Sequence, residues 1–310
     1  MADISAKDVM ALRQKTGCGM MECKKALVAA EGNFDEAVKV LREKGLSVAA
    51  KKADRIASEG IVDIAKCEEC AATVIAEVNS ETDFVAKNAS FQAFVKSILS
   101  TILKNKPADI TALLAANLDG TDRTVEAELK DKIFTIGENM TIRRFEIVEG
   151  VTGIYIHGGG AAGVVAKFET SEGIDATEEF KEYAKNVCMQ IAAMNPIYVC
   201  PHCVPKNVID AEKEILMAQI KNDPKLASKP EAVIEKMVSG RVSKYYETNC
   251  LNEQQYVKDE NMKVKDYTAS VAKQLGGNIA IMSFVKYERG EGIEKKEEDF
   301  AAEIDKLVKG

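Results

Sequence analysis

Two cysteine pairs have a spacing that could carry chemistry: Cys200 and Cys203, in a Cys-Pro-His-Cys run, and Cys67 and Cys70. Dithiol oxidoreductases use this spacing at a helix start that lowers a thiol pKa, and two such pairs can together bind a tetrahedral zinc ion. An oxidoreductase motif follows a strand, however, whereas Cys200 follows a predicted helix and lies in a loop. Unpaired surface thiols are therefore favoured, while metal binding and a redox role both stay open.

Histidine is scarce, which limits the remaining catalytic possibilities. His157 and His202 are the only two, so any histidine-dependent triad or multi-histidine metal site would have to use one of them. The run 158–163 satisfies the G-x-G-x-x-G nucleotide pattern, but strand-like residues follow it instead of a helix, so it predicts a hairpin turn. The sequence contains no phosphate-binding P-loop. We therefore predict a binding protein and assign no catalytic residue, cofactor or metal ligand.

The run Thr82-Asp83-Phe84-Val85 places an aromatic residue among charges, just after a predicted strand over 74–78. An exposed apolar side chain in such a loop is typical of a binding site. The alternative is a buried residue that packs beneath the loop, and Ile174, at the aligned position of a later repeat, favours packing. The pattern alone leaves both interpretations open.

Composition bounds the kind of protein that must position these residues. The chain has 310 residues, 46% of them hydrophobic, which is enough for about two globular domains. Its net charge of −7 argues against binding to nucleic acid or to an anionic membrane. The first residues do not resemble a secretory leader and no 18-residue apolar run follows, so we expect a cytoplasmic protein with mainly reduced thiols.

Three short helices are predicted in residues 1–45, which form the first domain. Ser5 caps the first helix, which ends near Gly17, and Met20 begins the second. Asn33 caps the third helix, and Gly45 is expected to stop it. Helices this short are not stable alone, so they should pack as a small bundle. Residues 46–57 are predicted to be a linker.

An internal duplication organises the rest of the chain. Residues 59–61 and 71–76 align with 149–151 and 161–166 at an offset of 90, and each copy predicts strand, turn, strand and then a helix. Residues 136–142 align with 275–281 at an offset of 139. We therefore predict an α+β protein with two related core subdomains, 58–148 and 149–290, built on antiparallel sheets.

The difference between the two offsets, 139 − 90, leaves 49 extra residues in the second copy. Two helical patterns separated by prolines predict a helical coiled-coil hairpin inserted at about 206–250. The segment 291–310 is predicted to form a C-terminal module with one more short helix.

Two stretches of the sequence, 12–27 and 77–87, resemble the two signatures of the bacterial elongation factor Ts family. The resemblance extends over essentially the whole chain and implies that the three-helix head is similar to ubiquitin-associated domains. It also implies a guanine-nucleotide exchange factor that binds elongation factor Tu in its GDP-bound and nucleotide-free forms. The Cys200 and Cys203 pair is not part of the family pattern.

The resemblance further implies roles for individual residues. Phe84 would enter the partner GTPase near its magnesium site, Asp83 would help disturb the ion's surroundings, and Thr82 and Val85 would shape the loop. The remaining residues that it assigns to partner binding are Met20, Met21 and His157, of which one methionine could instead belong to the head's core.

Two other classes of function stay as alternatives. One is an adaptor whose head binds a peptide or a ubiquitin-like partner, and the other is a thiol oxidoreductase. An adaptor would keep its binding after loss of Phe84, and an oxidoreductase would depend only on Cys200 or Cys203.

Overall fold

The structure, a computed structural model, describes residues 4–223, 226 and 229–294. It combines helices with antiparallel sheets, which confirms the predicted α+β class. The first half of the chain contains, in order, α1 Ala6–Thr16, α2 Met20–Ala29, α3 Phe34–Lys52, β1 Glu59–Cys67, β2 Ala72–Ser80, α4 Asp83–Ala86, α5 Ala89–Asn105, α6 Ile110–Ala115, α7 Val125–Ile136 and β3 Met140–Glu149. The second half contains β4 Val151–His157, β5 Ala162–Thr170, α8 Glu178–Met194, α9 Lys206–Asn222, α10 Glu231–Asn249, β6 Gln255–Tyr256, β7 Asp259–Lys263, α11 Val264–Gln274 and β8 Ile279–Glu288.

Helices α1 to α3 form the head. Ser5 and Asp8 make a reciprocal capping box at the start of α1, and Gly17 ends that helix with a left-handed φ of 69°. The Asn33 side chain caps α3 by accepting the N–H groups of Asp35 and Glu36. The buried side chains that hold the bundle together include Leu12, Cys23, Leu27, Ala37 and Leu41.

The prediction that the third helix stops at Gly45 is wrong, since α3 continues to Lys52. Residues 46–52, which the sequence assigned to the linker, are helical. They include good helix formers such as alanine and lysine, which favour a helix here. Gly45 lies against α7, where a Cβ atom would be 3.5 Å from the side chain of Phe134. Ala49 is buried in the core of the first copy. Tertiary packing thus carries the helix past its expected stop signal.

The two copies have the same sheet architecture. Their strand orders are β1-β2-β3 and β4-β5-β8, all antiparallel. The ladder between the second and third strands shifts between Glu77 and Val78 in one copy and between Lys167 and Phe168 in the other, 90 residues later. Helices α5 and α8 have 17 residues each. The duplication therefore extends to an irregularity of the backbone.

The two sheets meet in a small apolar layer that contains Val62, Ile75, Val148, Val165 and Tyr287. Beside it the Glu77 carboxylate is completely buried and accepts hydrogen bonds from Arg143, Arg144 and the N–H of Gly290. These contacts tie the end of the second sheet to the middle of the first.

The long insertion of the second copy follows α8. Helices α9 and α10 lie where the sequence predicts a hairpin, and the short strands β6 and β7 and helix α11 come after them. The side chains that the two helices bury between them include Leu216, Ile220, Ile234, Val238 and Val242. The buried amide of Gln190 on α8 accepts the N–H of Val257 at 2.8 Å, which fixes the end of the insertion to the core.

Within the described residues every helix is too short or too polar to span a bilayer. The helix predicted in the segment 291–310 falls on residues 295–310, which lie outside the described part of the chain.

Candidate partner-binding site

The loop that begins after β2 is anchored to the start of the third strand of its sheet. Thr82 donates its backbone N–H to Glu138 Oε2 at 3.0 Å and its hydroxyl to Glu138 Oε1 at 2.7 Å. The Ser80 hydroxyl in turn donates to the Thr82 carbonyl at 2.9 Å. One carboxylate therefore holds both donors of Thr82, and the backbone at the entry to the loop is fixed.

Glu81 provides a second anchor. Its Oε1 accepts the N–H of Asn139 at 2.6 Å and lies 3.5 Å from Nη1 of Arg55. The Asn139 amide donates to the carbonyl oxygens of Ala53 and Arg55 at 3.3 and 2.8 Å. The loop is thus connected through Asn139 to the chain that leaves α3.

The short helix α4 separates an exposed side chain from buried ones. Phe84 is 79% exposed, whereas Val85 and Ala86 are 6% and 5% exposed and pack in the core of the first copy. The interpretation of Phe84 as a buried residue is therefore wrong. The packing alternative does describe the other copy, where Ile174 is buried.

Asp83 lies beside Phe84 at the start of α4. Lys87 Nζ donates to Asp83 Oδ2 at 2.6 Å, and this hydrogen bond lowers the pKa of the Asp83 carboxyl below its usual range. Asp83 is therefore a carboxylate at neutral pH. The α4 helix also touches α5, since Gln92 Nε2 donates to the Ala86 carbonyl at 3.2 Å.

Met20 and Met21 lie on the outer face of the head. They are 41% and 64% exposed, and the buried residues of α2 are Cys23, Ala26 and Leu27. The alternative that places one of the methionines in the core is therefore wrong. Both are available for contact with another molecule.

His157 is exposed at the end of β4, with its Nδ1 3.1 Å from the hydroxyl of Tyr155. Its carbonyl accepts the N–H groups of Gly160 and Ala161, which closes the glycine-rich turn into β5. The strand that follows confirms the prediction of a hairpin turn rather than a nucleotide site. The Gly160 carbonyl accepts the N–H of Val62 at 2.8 Å, so the turn rests on the first copy.

The cysteine pairs are joined as disulfides, which corrects the expectation of unpaired thiols. Tight turns bring the Cα atoms of Cys67 and Cys70 to 5.5 Å and those of Cys200 and Cys203 to 5.2 Å, the usual separation for a disulfide. The four free cysteines, all buried, are Cys18, Cys23, Cys188 and Cys250. In the described part of the chain no group of three or more histidine, cysteine or acidic side chains could hold a metal ion.

Sequence reasoning missed the side chains that support the loop, namely Glu138, Glu81, Asn139 and Lys87. A signal for one of them was available in the duplication. Residues 136–142 align with 275–281, and Glu138 is matched there by glycine at 277. A charged residue that only one copy carries suggests a task that only this copy performs.

Comparison with known proteins adds to this geometry. A family model described as Elongation factor TS matches residues 81–291. The chain is 44% identical over 309 residues to elongation factor Ts of Syntrophotalea carbinolica, with 99% of each chain covered. It is 45% identical over 311 aligned positions to that of Clostridium kluyveri, again with 99% of each covered. For the protein of Nitratiruptor sp. the identity is 43% over 305 residues, covering 97% of this chain and 98% of the relative.

Proposed function

We propose that this chain, which belongs to the elongation factor Ts family, releases GDP from its partner by disturbing the partner's magnesium site. As a member of that family it is a translation elongation factor that acts as the nucleotide exchange factor of elongation factor Tu. Thr82, Asp83, Phe84 and Val85 form the loop that does so. An exchange factor makes and breaks no covalent bond. If it binds the nucleotide-free GTPase more tightly than the GDP-bound form, it must weaken GDP binding by the same factor.

The observation that carries this proposal is the exposure of Phe84, 79%, on a loop whose backbone Glu138 holds. An exposed aromatic ring at the end of a rigid support is suited to enter an apolar cleft of another protein. Asp83 lies next to it as a carboxylate. Thr82 fixes the backbone of the loop through its two hydrogen bonds to Glu138, and Val85 anchors the loop by packing in the core.

Magnesium bridges the phosphates of a bound nucleotide to the protein and requires near-ideal octahedral geometry. A ring inserted beside the ion would displace its water and side-chain ligands, and the carboxylate of Asp83 would help to disturb the ion's surroundings. Release of the ion weakens the hold on GDP, and GTP can then bind. In this proposal the factor binds elongation factor Tu first in its GDP-bound form and then in its nucleotide-free form.

Met20, Met21 and His157 are proposed as further contacts with elongation factor Tu. All three are exposed, and they lie on the head and on the second copy rather than on the loop of the first copy. Contacts on three parts of one chain would give the partner a fixed orientation. We place this activity in the cytoplasm, with neither nucleic acid nor a membrane as a partner, which agrees with the net charge of −7.

The test is stopped-flow release of a fluorescent GDP analogue from elongation factor Tu, with wild type and with an Asp83→Ala/Phe84→Ala variant. Loss of a central aromatic contact costs at least ~1.4 kcal/mol, so acceleration should fall by about tenfold or more. Ile215→Ala, which removes a similarly exposed apolar side chain on α9, serves as the matched control. Unchanged acceleration in a folded double variant would contradict the role of the loop.

The magnesium step has a separate test. When magnesium is chelated, GDP already dissociates quickly from its GTPase, so the difference between wild type and the double variant should shrink. A deficit of the same size with and without magnesium would show that the loop acts elsewhere. No acceleration by wild type would contradict the exchange function itself.

A further inference from the structure

The loop between α8 and α9 connects the core of the second copy to the helical hairpin. Val199 and Cys200 pack in the core of the second copy. Val204 and Ile209 pack instead in a separate apolar cluster at the base of the hairpin. The disulfide between Cys200 and Cys203 spans the stretch in which the chain passes from one cluster to the other. The proposed exchange function makes no use of this covalent bond.

The chain that returns from the hairpin changes clusters at the same level. Cys250, just after α10, belongs to the cluster at the hairpin base, and the next residue, Leu251, is buried in the core of the second copy. The two chains are joined there, because Leu251 donates its N–H to the Tyr198 carbonyl at 2.8 Å and Tyr198 forms a β-bridge with Cys250. Residues 200–204 and 250–251 are therefore a hinge between the body and the hairpin.

Beyond this hinge the hairpin holds itself together. Its own apolar cluster, which includes Leu216, Ile234 and Val242, consists of residues of the hairpin. An ion pair between Lys263 of β7 and Glu247 of α10, 3.2 Å apart, also links the hairpin to the body, but it is partly exposed and contributes little. A change at the hinge can therefore alter how the hairpin is held without unfolding the hairpin.

The other disulfide lies in a different setting. Cys67 and Cys70 close the turn between β1 and β2, where the ladder of the two strands continues up to Cys67 itself. Those strands fix the turn whether or not the sulfurs are bonded. The short turn Pro201–Cys203, by contrast, joins two clusters rather than two paired strands. Closing so short a loop reduces the population of open conformations roughly tenfold or more, so this disulfide constrains the hinge.

The sulfurs of the hinge are accessible in the folded protein. Cys203 is exposed and Cys200 is half-buried, so a small thiol can reach the Cys203 sulfur. In a cytoplasmic protein an accessible disulfide of this kind is usually transient and responds to the redox state. The free thiols are protected from the same reagent, since all four are buried, namely Cys18, Cys23, Cys188 and Cys250.

We propose that Cys200 and Cys203 are a site of reversible oxidation by the glutathione pool, and that their disulfide restrains the hinge. The thiolate of one glutathione attacks the Cys203 sulfur, the bond to Cys200 breaks, and the Cys200 sulfur leaves as a thiolate that takes up a proton. A second glutathione thiolate attacks the sulfur of the bound glutathione, which forms glutathione disulfide and releases Cys203 to take up the second proton. Two electrons pass from two glutathiones to the protein, and glutathione disulfide reverses both steps.

The oxidation site is tested by equilibrating the folded full-length protein in buffers of reduced and oxidised glutathione, followed by alkylation and mass spectrometry. A Cys67→Ser/Cys70→Ser variant removes the other disulfide. Labels at Cys200 and Cys203 should appear together. The ratio of reduced to oxidised pair should follow the square of the reduced-glutathione concentration divided by the concentration of glutathione disulfide, as a two-electron exchange requires. A pair that stays fully oxidised or fully reduced in every buffer would overturn the proposal.

The restraint on the hinge is tested by hydrogen–deuterium exchange of the oxidised and reduced forms of this variant. Exchange through local opening follows the population of the open state, so amides of residues 203–209 and 249–252 should exchange roughly tenfold faster after reduction. Amides of residues 216–242 should not change, because the hairpin's own cluster is not involved. Unchanged exchange at the hinge would overturn the restraint. Equal acceleration throughout the hairpin would overturn it as well, since the disulfide would then support the folding of the hairpin.

The variant Cys200→Ser/Cys203→Ser is the matched control. It keeps Cys67 and Cys70, so its hinge should exchange like that of the reduced protein in either buffer. A hinge that still responds to glutathione in this variant would overturn the assignment to Cys200 and Cys203. Wild type measured in the same two buffers gives the same contrast without any substitution, so the test does not depend on the folding of a variant. Elongation factor Tu is absent from these measurements, so they are independent of the proposed function.

Discussion

Replacing Glu77 by glutamine should destabilise the protein by about 3–5 kcal/mol, because it removes the charge from a buried junction of the two sheets. Glu77 is fully buried, and its carboxylate accepts Arg143 Nη1 at 3.0 Å, Arg144 Nε at 2.7 Å and the N–H of Gly290 at 2.8 Å. Glutamine has nearly the same shape but offers one acceptor and brings a donor towards the two arginines. Two half-buried guanidinium groups would lose their common counter-charge.

The expected change in melting temperature follows from the size of the chain. Unfolding entropy is about 2.1 cal/mol/K per residue near 60 °C, which for 310 residues is about 0.65 kcal/mol/K. A loss of ~4 kcal/mol therefore lowers the melting temperature by ~6 °C. Arg144 also pairs with Glu291 at 2.9 Å, so it keeps one partner and the lower half of the range is favoured.

Differential scanning calorimetry measures this change, and Glu146→Gln provides the matched control. Glu146 is exposed on β3 next to Ile75 of β2, so its replacement changes the same charge on the same sheet without removing a hydrogen bond to Arg143, Arg144 or Gly290. Surface substitutions of this kind usually stay within ±0.5 kcal/mol. A melting temperature of Glu77→Gln within about 1 °C of wild type would refute the reasoning that the buried carboxylate supports the junction.

Burial acts to raise the pKa of Glu77, but the hydrogen bonds from Gly290, Asn79 and the arginines lower it below its usual value. Its stabilising effect is therefore complete above about pH 4.3 and is lost as the pH falls through the lowered pKa of Glu77 in the folded protein. The difference in melting temperature between wild type and Glu77→Gln should therefore narrow on acidification, and a constant difference would contradict this. Gly45→Ala should raise stability by up to ~1 kcal/mol, because the added Cβ makes an ordinary 3.5 Å contact inside a helix; a lower melting temperature would show that the Cβ does not fit against Phe134. Gly153→Ala should cost roughly 1–3 kcal/mol, because its Cβ would lie 2.8 Å from that of Ala184, and an unchanged melting temperature would contradict this close packing of β4 on α8.

Local signals were sufficient wherever one residue decides a local structure. Ser5 and Asn33 cap their helices because a side-chain oxygen satisfies free N–H groups whatever the rest of the fold does. The internal repeat also predicted two equivalent sheets, which the structure contains. This was possible because the alternation of apolar and polar residues can be recognised in each strand without knowledge of the rest of the fold.

Tertiary contacts decided the features that the sequence did not reveal. Gly45 carries a strong stop signal, yet the packing of α3 against Phe134 outweighs it. The entry to the loop is held by Glu138, which accepts both donors of Thr82 from 56 positions away in the chain. Side chains that meet only in the folded state leave no local pattern. The alignment of Glu138 with Gly277 was the one trace of this interaction that the sequence contained.

Rigid support of Phe84 is consistent with the demands on an exchange factor. Ordering a mobile side chain on binding costs about 0.5–1.5 kcal/mol. This cost reduces the free energy that is available to weaken the binding of GDP to the partner. Thr82 and Val85 fix the backbone on both sides of the ring before any partner binds. The second copy has the same ladder and the same bulge, yet it turns Ile174 inward. The difference between the exposed loop and the packed one therefore lies in the loop itself, which has eight residues (81–88) and the short helix α4 in the first copy but seven residues (171–177) and no helix in the second.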